Sequence, residues 1–176
     1  ALSTVSCKKF LDRPPEGQLG EAEAFKTEAD VKAFANGIYT LFANNEFYSG
    51  RHQVLNELLG DHYKGDRFTG DYSEIFKRQN SFFGGTRDAY YQLAYRIITD
   101  ANLVIKHLDL ATISKNQLEG EAKLFRAMAH FELVRMFAQP WGYSADNSHL
   151  GVPIRTTVGL EPIQRSTVKE VYDQII

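Results

Sequence analysis

The sequence predicts an all-α fold, and three observations carry that prediction. Across residues 118–137, Leu118, Ala122, Phe125, Ala129, Leu133 and Met136 recur at steps of three and four, the apolar stripe of a helix. Tyr90, Ala94, Ile97, Ala101, Ile105 and Leu108 repeat the pattern over residues 87–108. The two stretches are separated by only a few residues, so helices of about twenty residues there must pack antiparallel, as an αα-hairpin.

The helix over 120–137, GEAKLFRAMAHFELVRMF, is the one around which the chain is arranged. Beside its first stripe runs a second, through Leu124, Met128, Phe131 and Val134. Only a narrow strip through Glu119, Lys123, Arg126 and His130 is suited to water. The helix is therefore expected to be covered on more than one side. Gly120, Ala122, Ala127 and Ala129 keep its surface thin enough for close approach.

In chain order, residues 1–7 (ALSTVSC) are small and mildly apolar, and charge begins at Lys8 and Lys9. The small-residue run ending in Ser6-Cys7 is similar to the end of a bacterial lipoprotein signal, in which the cysteine is acylated. Thr4 stands where an aliphatic residue is usual, and a free thiol near the terminus is the other reading. Residues 11–20 carry two prolines and two glycines without a period, which reads as an extended tether. Residues 1–20 thus form an anchor-and-tether segment, and 21–176 the helical domain.

Thr27, with Asp30 three residues later, opens the first helix, whose stripe is Val31, Phe34, Ala35, Ile38 and Leu41, and Asn44-Asn45 can close it. Val54, Leu55, Leu58 and Leu59 form a shorter stripe before a stop at Gly60. Residues 61–85 are rich in Gly, Asp and aromatics and lack a sustained period, so a long irregular loop is expected. Thr86 is placed to cap the next helix, and Asn102, inside its apolar stripe, is expected to bridge to a neighbouring backbone in the core. Ser114 and Gln117 form a capping-box pattern before the central helix, and Pro140 ends it.

Residues 141–151 form a loop with exposed-looking aromatics, and 151–159 (GVPIRTTVG) read as short and β-like. Thr167 and Glu170 make a further capping box, leading into Val168, Val171, Tyr172, Ile175 and Ile176. That last stripe stops barely three turns into a helix, with its apolar face uncovered. The expectation is an N-terminal portion of a longer, α-rich protein, incomplete at its C-terminus.

Composition excludes several classes. With 20 basic and 22 acidic residues the formal charge is −2, and the basic residues are scattered, so no field recruits nucleic acid. No run reaches the ~18 apolar residues of a membrane span. The single cysteine excludes an internal disulfide and a cysteine-rich zinc site. The five histidines show no HExxH spacing, and Asp61, His62 and Asp66 read as solvated turn residues in preference to a metal site. Neither a phosphate-binding glycine loop nor a nucleophile elbow is present, and Glu119 pairs naturally with Lys123. No catalytic set, metal or cofactor is expected.

What remains is aromatic: twelve Phe, nine Tyr and one Trp. Tyr72, Phe76, Phe82 and Phe83 fall in the long loop, Tyr90 and Tyr91 follow it, and Trp141 and Tyr143 lie beyond the central helix. A flat ring covers the apolar C–H face of a sugar while neighbouring polar groups take its hydroxyls. Tyr72, Phe82, Phe83 and Arg87 are the ligand-binding candidates. Phe82-Phe83 is the most pointed, because two consecutive loop residues do not easily both face inward.

In order, CKKFLDRPP, FANGIYTLF, YYQLAYRIITDANLVIKHL, GEAKLFRAMAHFELVRMFAQPWG, LGVPIRT and TVKEVYDQII resemble the SusD/RagB family over nearly the whole chain. The pattern GEAKxxRAxxxFxLVRxF and the LGVP segment are its most specific parts. The resemblance implies tetratricopeptide-like antiparallel helix pairs with long loops. It further implies a non-enzymatic surface lipoprotein of Bacteroidota, attached to the outer membrane through Cys7. Such proteins cap a SusC-type TonB-dependent transporter and capture oligosaccharide or polysaccharide, or in some members peptides, for import. Family members are much longer than 176 residues. A helical protein–protein scaffold without a small ligand is the alternative from another class.

Overall fold

A computed structural model describes residues 20–64, 67–79 and 84–176, and it is all-helical. Seven α-helices follow one another among these residues: α1 (Glu21–Ala24), α2 (Glu28–Phe42), α3 (Arg51–Leu59), α4 (Gly70–Phe76), α5 (Gly85–Lys106), α6 (Lys115–Phe137) and α7 (Val168–Ile175). The α5–α6 hairpin is the most extensive interface. α2 packs across α5, and α7 lies along α6.

α2 begins as its sequence dictates. Thr27 accepts from the Asp30 amide at 3.3 Å, and Asp30 accepts from the Thr27 amide at 2.8 Å. Its buried stripe runs through Val31, Ala35, Ile38 and Phe42, while Phe34 and Leu41 flank it half-buried. Glu28, in its first turn, reaches across to the start of α6. There it accepts from the amides of Thr112 (3.0 Å), Ile113 (3.2 Å) and Ser114 (3.0 Å), and from the Ser114 hydroxyl (2.6 Å). These donors hold the Glu28 carboxyl well below the usual carboxylate range. The expected Ser114–Gln117 capping box therefore does not form. The Ser114 hydroxyl is taken by Glu28, and Gln117 bonds Glu121 instead.

On α6, Leu118, Ala122, Phe125, Ala129 and Leu133 are buried as expected. The water-facing strip is displaced from its predicted position. His130 is 1% exposed and Arg126 is half-buried, whereas Leu124 is 57% exposed. The cause lies in residues 151–157. They form no strand, contrary to the β-like reading; the β pairing seen among the described residues is an isolated bridge between Leu150 and Thr167. The segment is an extended strap laid over the α5–α6 hairpin and held by side chains. The Tyr95 hydroxyl donates to the Pro153 carbonyl (2.8 Å), Asn102 to that of Arg155 (3.2 Å) and Arg126 to that of Thr156 (3.4 Å). Asn102 thus has the backbone-bridging role expected of it. His130 accepts the Arg155 amide proton at Nε2 (3.2 Å), and its Nδ1–H donates to the Arg126 carbonyl (2.9 Å), which fixes one neutral tautomer.

Two further expectations are corrected. α5 starts at Gly85 with Gly84 as cap, so Thr86 is inside the helix. And the stretch 61–85 is not wholly irregular: α4 lies within it, entered at Gly70 with φ 58°, a conformation easily reached without a Cβ. α4 buries a single residue, Ile75, which is too little to generate a readable stripe.

Candidate functional site

An open groove of about 960 Å³ lies where the C-terminal end of α3, the beginning of α5 and the end of α6 meet. Leu55 and Leu59 of α3 and Ile75 of α4 form one wall. Tyr91 of α5 with Met136 and Phe137 of α6 form the floor, with Tyr91 edge-on to Phe137 at 5.0 Å between centroids. Polar groups stand around them: Arg78, Gln79, Arg87 and Asp88 on one side, Gln139, His149 and Arg165 on the other. An apolar, partly aromatic floor rimmed by donors and acceptors can bind an amphipathic small molecule. Asp88 is the carboxylate among these lining residues.

Two polar clusters hold the walls in place. The first joins α3 to α6. Glu132, 2% exposed, accepts from Tyr48 Oη (2.8 Å) and pairs with Arg135 (3.1 Å). Arg135 also donates to Asn56 Oδ1 (3.2 Å), which orients the amide so that its Nδ2 donates to His52 Nε2 (3.1 Å). His52 Nδ1 then carries the proton and faces Tyr90 Oη at 3.1 Å and Glu132 at 3.6 Å. Burial, reinforced by Glu132, raises the Tyr48 and Tyr90 hydroxyls well above the ordinary tyrosine value, so both remain protonated. A buried carboxylate is stable only when its lone pairs are taken, and here Tyr48 and Arg135 take them.

The second cluster joins α3, α4 and α5. Asp71 Oδ2 accepts the Thr86 amide proton (2.7 Å), supplying from α4 the cap that the start of α5 lacks locally. Arg51 donates to the Thr86 hydroxyl (2.7 Å) and pairs with Glu46 (2.6 Å). Arg87 lies 3.9 Å from Asp71 and 3.8 Å from Glu74. It also presses so closely on Gly84 that a Cβ there would collide with its guanidinium.

Of the sequence-derived candidates, Arg87 lines the groove. Tyr72 is 39% exposed on α4 but is not among the groove residues. Phe82 and Phe83 lie outside the described residues, in the stretch between Gln79 and Arg87, both of which line the groove. Cys7 and Asp66 also lie outside them. Asp61 pairs with Arg78 (2.7 Å) and His62 with Glu57 (2.7 Å), and the described residues contain no group of three or more potential metal ligands. Tyr90 is wholly buried, whereas Trp141 and Tyr143 are 53% and 65% exposed. Leu55, Leu59 and Met136 are readable as stripe members. Nothing in their spacing marked them as groove walls, because that depends on where α3 docks.

A model of the SusD-like family described as "Starch-binding associating with outer membrane" matches residues 9–176. Two SusD-like proteins of Formosa agariphila are similar to the chain, one 30% identical over 99% of it and another 25% over 97%. Among solved structures, a SusD superfamily protein of Bacteroides thetaiotaomicron superposes with TM-score 0.66 at 24% identity, covering 85% of this chain and 35% of that one. One from Bacteroides fragilis gives 0.71 at 20% identity, covering 86% and 38%. These two likenesses establish the fold. The chain spans about a third of the length of the curated relatives it matches.

Proposed function

The chain belongs to the SusD-like family, and on that premise we propose that it captures oligosaccharide at the bacterial surface for import through a SusC-type TonB-dependent transporter. The observation that carries this reading is the family match, described as starch-binding and outer-membrane-associating, on a chain that presents an aromatic-floored groove. The sugar stacks on rings beside the groove, a role assigned to Phe82, Phe83 and Tyr72, and Arg87 donates to hydroxyls. The helical scaffold holds the walls and offers its outer surface to the transporter. No described helix is long and apolar enough to cross a membrane, and attachment is assigned to acyl chains on Cys7.

Isothermal titration with an oligosaccharide panel tests capture. Binding should weaken about tenfold when Phe82 or Phe83 becomes Ala, the loss of roughly one stacking contact. Unchanged affinity in both variants removes that loop from the site. Membrane fractionation tests the anchor: Cys7→Ala should move the protein to the soluble fraction, and continued retention contradicts acylation at Cys7.

A further inference from the structure

The geometry points to a second saccharide subsite on the loop after α6, where Tyr143 packs on His149 of the groove lining and Trp141 is exposed two residues away. The inference rests on the glycan-capture reading and extends the bound length of the sugar beyond the groove. Three observations carry it.

The rings are exposed yet firmly held. Trp141 and Tyr143 keep 53% and 65% of their surface open to water, two residues apart. Each is braced by one steeply inclined neighbour: Trp141 by Tyr172 (5.0 Å, 69°) and Tyr143 by His149 (5.3 Å, 65°). The loop that carries them is fixed from inside. Asn147, 6% exposed and at φ 56°, accepts the Gly142 amide proton through its side chain (2.6 Å) and that of Lys169 through its carbonyl (3.0 Å). His149 donates from Nε2 to the Gln139 carbonyl (3.2 Å) and accepts from Ser144 at Nδ1 (2.8 Å). A loop tied down this thoroughly presents its rings at little further cost in conformational entropy on binding.

The loop adjoins the groove through Gln139 and His149. These two residues flank the rings in sequence, so a chain leaving the groove on that side meets Tyr143 through His149. The size is also that of a sugar. A large aromatic side chain offers about 150–250 Å², so two rings exposed by half to two-thirds present roughly 200–300 Å². That covers one or two sugar rings, whereas a standard protein interface takes about 800 Å² per partner.

Trp141 is the only tryptophan of the 176-residue chain, so its emission reports this loop alone. The test is titration of the chain with maltotriose and maltoheptaose, and with matched xylo- and galacto-oligosaccharides, read by Trp141 fluorescence and by calorimetry. The longer member of a bound pair should shift or quench the emission and bind about tenfold more tightly than the trimer. Tyr143→Ala should remove that advantage while leaving trimer affinity unchanged. If both lengths bind with equal affinity and leave the emission unmoved, the subsite is overturned while glycan capture stands. If neither length of any series binds, both readings fall. If Tyr143→Ala leaves sugar affinity unchanged but abolishes co-purification with an outer-membrane transporter, the rings serve a protein partner and the proposal is wrong.

Discussion

Lowering the pH should loosen the strap over the α5–α6 hairpin, and His130 sets where. Burial pushes its imidazole down to about 4 from an ordinary value near 6.5, against the opposing bond to the Arg126 carbonyl. The neutral ring accepts the Arg155 amide proton at Nε2, and a proton there would put two donors face to face. The sign follows from which state binds the proton. Between pH 6.5 and 4 the unfolded chain protonates this histidine and the folded chain does not, so stability falls as pH falls through that window. At full extent the difference is about 2.5 pK units, or roughly 3.4 kcal/mol; between pH 7.5 and 4.5 it is about 2.5 kcal/mol. Carboxylates titrate over the same range, Asp100 among them with its value raised by burial, so the measurement must be differential. Urea unfolding of the chain and of His130→Gln at the two pH values isolates the histidine, because glutamine keeps an acceptor and cannot titrate. The wild-type chain should lose about 2.5 kcal/mol more than the variant between the two conditions. Equal losses, or an NMR titration of His130 with its midpoint above 6, would refute the assignment.

Three more outcomes follow from the same contacts. Asn102→Ala leaves the Arg155 and Thr157 carbonyls and the Arg126 guanidinium without a partner they now have, and should cost about 1–3 kcal/mol in thermal or urea unfolding. Glu132→Ala removes the carboxylate shared by Tyr48 and Arg135, and should cost about 3 kcal/mol; Arg135 reaches solvent, which keeps the loss at the lower end for a buried pair. Tyr91→Ala opens the groove floor beside Phe137 and should weaken oligosaccharide binding about tenfold in calorimetry, with circular dichroism unchanged.

Much of the scaffold is legible in the chain, because local rules and tertiary packing agree there. The capping boxes at Thr27 and Thr167 form as their spacing requires, and the stripes through Val31–Ile38, Tyr90–Ala101 and Leu118–Leu133 are buried. The reading fails where a distant residue replaces a local one. Glu28 takes the donors at the start of α6, Asp71 caps α5 in place of a local residue, and the strap turns His130 from a surface residue into a core acceptor. Glu132 and Asp71 carry no one-dimensional signal, since an acid on a helix is ordinarily a solvated one. The groove is similarly hidden: Leu55, Leu59 and Met136 look like ordinary stripe members, and only the placement of α3 leaves them lining a groove. Arg87 was found because an arginine beside aromatics is a recognisable combination, whereas Gln139, His149 and Arg165 reach the groove from loops without period.

A crystal structure of the chain grown with a bound oligosaccharide tests the central claim most directly. The account predicts a sugar ring against Tyr91 and Phe137 in the groove, with further units running toward His149, Tyr143 and Trp141. Sugar bound on a face remote from the groove, or an empty groove at saturating oligosaccharide, would contradict it.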